Sequence, residues 1–344
     1  MKLKYKKFDL PLRHVFTISR GSVKVQETLI VQIEHDGQFG YGEATTNAFY
    51  GATIANMSAT LESVRSIVEQ GSPDDPVPLV DMLAASVPHE KYANFALNAL
   101  DLAIHDLWGK LKGAPVYKLW GLSTDKIPDS DYTIGIDTPE KMVAKMEEMP
   151  GWPVYKIKLG TSDDLTIVRE LRKHTDALFR VDANCGWTAD QTIEFAPALK
   201  DLGVEFIEQP LPPDDVVGAR RAFENSVLPL IADENCIVES DVDRCAGAFH
   251  GINIKLVKSG GLAVARRMAA RARELGLQVM AGCMTESTVG ISALAQLLPL
   301  LDYVDMDGAV LLAKDIATGV RLDRGRCTYP ATNGTGVELL DGPF

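Results

Sequence analysis

Residues 155–159 read Tyr-Lys-Ile-Lys-Leu, 178–182 Leu-Phe-Arg-Val-Asp, 205–208 Glu-Phe-Ile-Glu and 228–234 Leu-Pro-Leu-Ile-Ala-Asp-Glu. In each, a short apolar run ends on or beside a charged residue. The texture begins at Tyr132–Ile136 and continues through Ile252–Leu256, Leu277–Met280 and Tyr303–Val304. Amphipathic segments such as Leu165–Lys173, Ala189–Leu199 and Ala263–Leu275 lie between the runs. Short apolar runs alternating with helical periods read as parallel strands buried on both faces. Reference points near their ends recur about every 22–28 residues, close to the ~30 per unit of an eight-stranded βα barrel. The rival is an open doubly wound sheet, which usually shows a Gly-rich phosphate turn after its first strand. None is present. The reading is an α/β chain with a TIM-type barrel over residues 123–315.

Upstream the pattern differs. Leu10–Thr17, Thr28–Glu34 and Gly40–Ala44 alternate like antiparallel strands, with His35-Asp36-Gly37 as a hairpin turn. Two helical patterns follow. Ala55–Glu69 is ended by Gly71-Ser72-Pro73; Tyr92–Leu111 sets Phe95, Ala99, Leu102, Ala103 and Leu107 on one face and stops at Gly113 and Pro115. This is an α+β domain over residues 1–122. Residues 316–344 hold no further βα unit and are expected to pack back on it.

The 344 residues carry a net charge of -12 without a long acidic or basic block, which disfavours nucleic acid and anionic membranes as partners. No apolar run is long enough to span a bilayer. Five irregularly spaced cysteines without a CxxC pair argue against a disulfide framework and for the cytoplasm. Monomer and homo-oligomer both stay open.

In a βα barrel the C-terminal strand ends point into the site. The eight ends offer Thr133; Lys156 and Lys158; Asp182 and Asn184; Glu208; Asp233 and Glu234; Lys255; Cys283; and Asp305 with Asp307. Three consecutive strands thus close on Asp182, Glu208 and Asp233, which would repel one another without a cation. An all-oxygen set suits a hard divalent ion, Mg²⁺ above all. The plainer alternative is that these acids cap the following helices. Lysines flank the triplet. Strands two and six face each other in an eight-stranded barrel, so Lys158 and Lys255 would meet a substrate from opposite sides. Neighbouring ammonium groups and a metal should lower their pKa toward that of a general base. None of the six histidines falls at a strand end, and no P-loop, GxSxG or GxGxxG occurs. His105, beside Asp106 on the long helix, reads as structural. Gly260-Gly261 reads as a tight turn.

Lys156-Ile157-Lys158, Asp182-Ala183-Asn184, Glu208-Gln209-Pro210-Leu211, Ala232-Asp233-Glu234 and Lys255-Leu256-Val257-Lys258-Ser259-Gly260-Gly261 together resemble the muconate-lactonizing-enzyme subgroup of the enolase superfamily. Asn98–Ala103 and Gly113-Ala114-Pro115 extend the resemblance over nearly the whole chain. It implies a modified (β/α)7β barrel with a capping domain. It implies one Mg²⁺ per subunit on Asp182, Glu208 and Asp233, Lys158 and Lys255 as the acid/base pair, and Lys156 beside the substrate carboxylate.

Asp305-Met306-Asp307-Gly308 is similar to the Asp-x-Asp motif of dipeptide epimerases, which implies that the two carboxylates bind a dipeptide's α-ammonium. Thr133 and Cys283 fall where that group contacts substrate. The implied reaction is a 1,1-proton transfer at the α-carbon of the C-terminal residue, through an ene-diolate. o-Succinylbenzoate synthase, N-acylamino-acid racemase and muconate cycloisomerase share the scaffold, but their substrates offer Asp305 and Asp307 no ammonium. A catalytically silent barrel would show degraded ligands or bases, and here all are intact. His14–Ser22 is similar to the epimerase capping loop. Members acting on Ala-Glu tend to carry Arg directly after Gly-Ser, where this chain has Val23 and then Lys24. Either Lys24 or Arg20 serves an acidic side chain, or Phe16, Phe49 and Tyr50 form a pocket of Ala-hydrophobic type.

Overall fold

A computed structural model describes residues 1–344. The chain opens with an antiparallel sheet, β1 (Lys2–Ile18), β2 (Gly21–His35) and β3 (Gln38–Thr45), in that order. Asp36 and Gly37 both take positive φ, 48° and 75°, as a two-residue hairpin between paired His35 and Gln38 requires. β1 starts eight residues before the apolar alternation shows it, because the early positions bear lysines on an exposed edge. Its register shifts between Pro11 and Phe16, and the β1–β2 tip then reaches the barrel mouth, where Ile136 N–H donates to Thr17 O at 2.8 Å.

α1 (Ile54–Gln70), α2 (Pro76–Ala84) and α3 (Ala93–Lys112) cover one face of this sheet. Thr53 and Asn56 form a capping box at the start of α1. Sequence periodicity missed α2. Its signals are Asp75 as N-cap and Pro76 in the first turn. The predicted face of α3 is buried, but so is most of its circumference, because α3 is wedged between sheet and barrel. Its buried polar residues tie the parts together. Asp106 accepts from Tyr41 N–H at 3.0 Å and Thr335 N–H at 2.8 Å, and Asp101 from Ala263 N–H at 3.0 Å. His105 is structural as expected, yet its partner is Asp101 at 2.6 Å, one turn back, and not adjacent Asp106.

The second sheet is parallel: β4 (Tyr132–Ile134), β5 (Val154–Lys158), β6 (Leu178–Asp182), β7 (Val204–Glu208), β8 (Leu230–Ala232), β9 (Gly251–Lys255), β10 (Gln278–Gly282) and β11 (Tyr303–Asp305), in sequence order. A parallel bridge between Ser130 and Val304 joins its two edges, so the barrel closes. The main core lies between strands and outer helices. Inside, Phe206, Ile231, Met280 and Tyr303 pack as a plug. Arg180 crosses the interior to Asp131 and Val304 O, both at 2.9 Å, with its guanidinium 5.4 Å from the Phe206 ring centre. That layer is the floor of the site. Gly260 and Gly261 do form a turn. A Cβ on Gly261 would lie 2.0 Å from Asp101 Oδ2, so the turn doubles as the seat of α3 on the barrel.

The C-terminal stretch contacts both parts. Phe344 N–H donates to Gln32 Oε1 at 2.8 Å, and Ser130 N–H to Gly325 O at 2.8 Å. No helix is long and apolar enough to cross a membrane.

Candidate active site

Asp182 ends β6, Glu208 ends β7 and Asp233 follows β8. Direct pairing of Lys158 with Asp182, and of Asp182 with Glu208, sets their side chains on one rim. All three are buried, and one oxygen from each lies within 4.8 Å of the others. They do not cap helices: Thr188 and Asp215 cap those after β6 and β7, and the first helical turn after β8 begins only at Glu239. Three converging, fully buried carboxylate oxygens are the donor set a hard divalent cation takes, so the residues fit the metal expected of them.

Four lysines neutralise this centre. Lys158 Nζ is 2.6 Å from Asp182 Oδ2, and Lys255 Nζ 2.7 Å from Asp233 Oδ2. Lys258 Nζ is 2.5 Å from Asp233 Oδ1. Lys156 Nζ lies 2.7 Å from both Glu208 Oε2 and Asp305 Oδ2. The acids act on the lysines they hold: burial pulls the pKa of Lys255 and Lys156 down, but Asp233 beside one and Asp305 with Glu208 beside the other outweigh it and push both up. One expectation is corrected here: Lys156, with no exposed surface and both acids engaged, does not reach the substrate cavity; it joins the carboxylate triplet to Asp305. Lys158 and Lys255 do line the cavity. They stand on the second and sixth of eight strands, on opposite sides of the barrel.

The sequence reading did not count four supporting residues as site residues. Asn253 Nδ2 donates to Glu208 Oε1 at 2.7 Å. Its signal was position, two before Lys255 on the same strand face. Asn184 takes a φ of 44°, which lets its N–H donate to Asp182 Oδ1 at 2.9 Å. Gln209, at φ 34°, accepts from Asp233 N–H at 2.9 Å and donates to Asn235 Oδ1 at 2.6 Å, tying neighbouring strand ends. Lys258 is the fourth. Left-handed backbone at Asn184, Cys185 and Gln209, just beyond the ligand strands, is strain held where position matters.

The cavity above is about 600 Å³. One wall is Thr133, Cys283, Asp305 and Asp307. Thr133 N–H donates to Asp307 Oδ2 at 2.6 Å, while buried Asp305 Oδ1 has no hydrogen-bond partner. Burial and then Asp305 push the Asp307 carboxyl well above its ordinary range. Burial would do the same to Asp305, but Lys156 holds it at about 2. The two carboxyls are thus pushed apart, Asp305 down and Asp307 up. Cys283, Asp305 and Asp307 also cluster as metal ligands do, and burial followed by the two aspartates pushes the Cys283 thiol up.

The opposite wall comes from the β1–β2 tip: Phe16, Ile18, Val23 and Val25, with Phe49 and Tyr50. Strand alternation turns Val23 and Val25 inward and leaves Lys24 exposed and off the lining, so its reading as a substrate contact is corrected. Arg20 lines the cavity but is occupied. It pairs with Glu234 Oε1 at 2.6 Å, donates to Asn184 O at 3.0 Å and stacks 4.5 Å from the Phe49 ring centre.

A closed βα barrel with acids on three successive strands, opposed lysines and a capping sheet over its mouth defines a carboxylate-lysine barrel enzyme. Residues 5–121 match the mandelate racemase / muconate lactonizing enzyme N-terminal domain and residues 140–342 the enolase C-terminal domain-like family, so the chain belongs to that branch of the enolase superfamily. It is 54% identical to an L-Ala-D/L-amino acid epimerase of Flavobacterium johnsoniae, over 99% of this chain and 100% of that one. A substrate-liganded complex of the L-Ala-D/L-Glu epimerase from Bacillus subtilis superposes with a TM-score of 0.92 at 26% identity, covering 98% of this chain and 99% of that one. A dipeptide epimerase from Cytophaga hutchinsonii complexed with Mg and D-Ala-L-Val gives 0.91 at 26% identity, covering 98% and 95%.

Proposed function

We propose that this isomerase is a dipeptide epimerase in which Lys158 and Lys255 exchange the α-proton of the C-terminal residue from opposite faces. The observation that carries the reading is the Asp305–Asp307 pair. Two buried carboxyls, one with an unpartnered oxygen on the cavity wall, are acceptors for an α-ammonium. Thr133 fixes Asp307, and neutral Cys283 fills the space beside them. Asp182, Glu208 and Asp233 hold one Mg²⁺ per subunit, which when bound supplies positive charge to the substrate carboxylate and the developing ene-diolate. Lys158 takes the proton from one face and Lys255 returns one to the other, or the reverse. Residues 123–315 carry this chemistry, while residues 1–122, with residues 316–344 packed against both parts, select the substrate. Five free cysteines support a cytoplasmic setting.

The apolar capping wall, with Arg20 engaged and Lys24 outside, supports Ala-hydrophobic dipeptides over Ala-Glu. Incubation of L-Ala-L-X peptides in heavy water should give α-deuterium at X and D-X product, fastest for apolar X. A broad panel giving neither exchange nor inversion rejects the proposal.

A further inference from the structure

A second cavity of about 710 Å³, larger than the one over the lysines, lies between capping residues 89–94 and the barrel loops after β7 and β8. Its volume falls within the range of small-molecule sites. Ile237, Ala248 and Phe249 give it an apolar lining. Arg220 and Lys91, also on its lining, are exposed and engaged in no ion pair or hydrogen bond. Glu234 is on its wall as well, with only 3% of its surface exposed. One Glu234 oxygen, Oε1, holds Arg20; the other, Oε2, is buried and has no hydrogen-bond partner. A buried carboxylate oxygen left unpaired is costly, and an ammonium satisfies it best.

We infer that this second cavity binds a small zwitterion of amino-acid or dipeptide size, its ammonium on Glu234 Oε2 and its carboxylate on Arg220 and Lys91. Glu234 is then shared between two cavities. Arg20 grips it from the capping loop over the lysines, and the zwitterion's ammonium draws on the same charge from behind. Occupancy of the second cavity therefore loosens Arg20 and weakens binding over the lysines, and the reverse holds by linkage. Because the zwitterion is of the substrate's own kind, rate should fall at high peptide concentration.

The test is equilibrium dialysis of labelled L-alanyl-L-leucine against the Lys158→Ala/Lys255→Ala enzyme, which cannot turn it over. Two molecules bound per chain are expected. Adding Arg220→Glu should weaken one of the two by about tenfold or more. Ile237→Trp, which fills the cavity, should abolish the same one. In the otherwise native enzyme, Arg220→Glu should leave turnover at low peptide unchanged and remove the inhibition at high peptide. One molecule bound, unaffected by Arg220→Glu, overturns the second site. One molecule lost on Arg220→Glu upholds it, and places the failure instead in the peptide reading of the lysine cavity.

Discussion

Asp307→Asn is the sharpest probe of the substrate. The exchange keeps size and shape in a position that is 1% exposed, so packing should not change. The asparagine carbonyl can still accept from Thr133 N–H, now 2.6 Å from Asp307 Oδ2. What is lost is one acceptor charge beside Asp305 Oδ1, where the dipeptide ammonium is proposed to sit. The new amide N–H group points a donor at the place another donor must occupy. A hydrogen bond to a charged group is worth about 1.5–3 kcal/mol, so kcat/KM for a free-amine dipeptide should fall roughly 10- to 150-fold. The ammonium lies away from the reacting carbon and is held equally in ground and transition states, so the loss should appear in KM. pH adds a check. Burial and Asp305 push the Asp307 carboxyl up, so in wild type the ammonium must displace a proton. Wild-type affinity should therefore drop as pH falls below that raised value, while the asparagine variant, with no such proton, stays flat and the gap between them narrows. Deuterium incorporation followed by proton NMR gives both constants. An N-acetylated amino acid, lacking the ammonium, serves as control. A variant within twofold of wild type on free-amine dipeptides would refute the ammonium site and favour an N-acylamino-acid racemase.

Lys158→Ala and Lys255→Ala should each lower epimerisation about 10²- to 10⁴-fold, the usual contribution of a positioned acid or base, read as inversion of the α-carbon. Near-full activity in both would end the two-base assignment. Glu286 concerns stability. Burial pushes its carboxyl up to about 8, with Glu43 adding to it. The native state thus keeps a proton that the unfolded chain releases between about pH 4.5 and 8, and stability falls as pH rises through that window, by at most about 1.4 kcal/mol per unit. Glu286→Gln should flatten that slope in denaturant melts from pH 5 to 8; an unchanged slope would show that Glu286 is ionised throughout. Val23→Arg brings a cation to the capping wall at an inward position, where Lys24 cannot. It should shift the ratio of kcat/KM for Ala-Glu over Ala-Leu upward by about tenfold or more, and no shift would mean that residue 23 does not meet the side chain.

The barrel was legible because its strands are buried on both faces and so read as apolar runs, each closed by the residue the site uses. The capping domain was less so. β1 extends back through lysines that carry no apolar period, and α2 is too short for a helical stripe to stand out from its Asp75-Pro76 start. α3 was found and its His105 read as structural, but the partners of its acids were not assigned. Asp101 and Asp106 face other segments of the chain, Ala263 and Thr335, and no local pattern encodes a partner more than a hundred residues away.

The same distinction runs through the site. Which residues meet was readable from strand ends, since a barrel converts sequence spacing into position round a ring. How their charges settle was not, because it depends on distances between strands. The spacing put three lysines near three acids and suggested bases with lowered pKa. In the fold each lysine is held by an acid, and Asp305, expected only on the substrate ammonium, is also bonded to Lys156. That bond gives Lys156 its place. It pulls the Asp305 carboxyl down while Asp307, without such a partner, is pushed up. A lysine too deep to touch substrate thus sets the two carboxyls apart, and Asp307 is the one whose proton an arriving ammonium must displace.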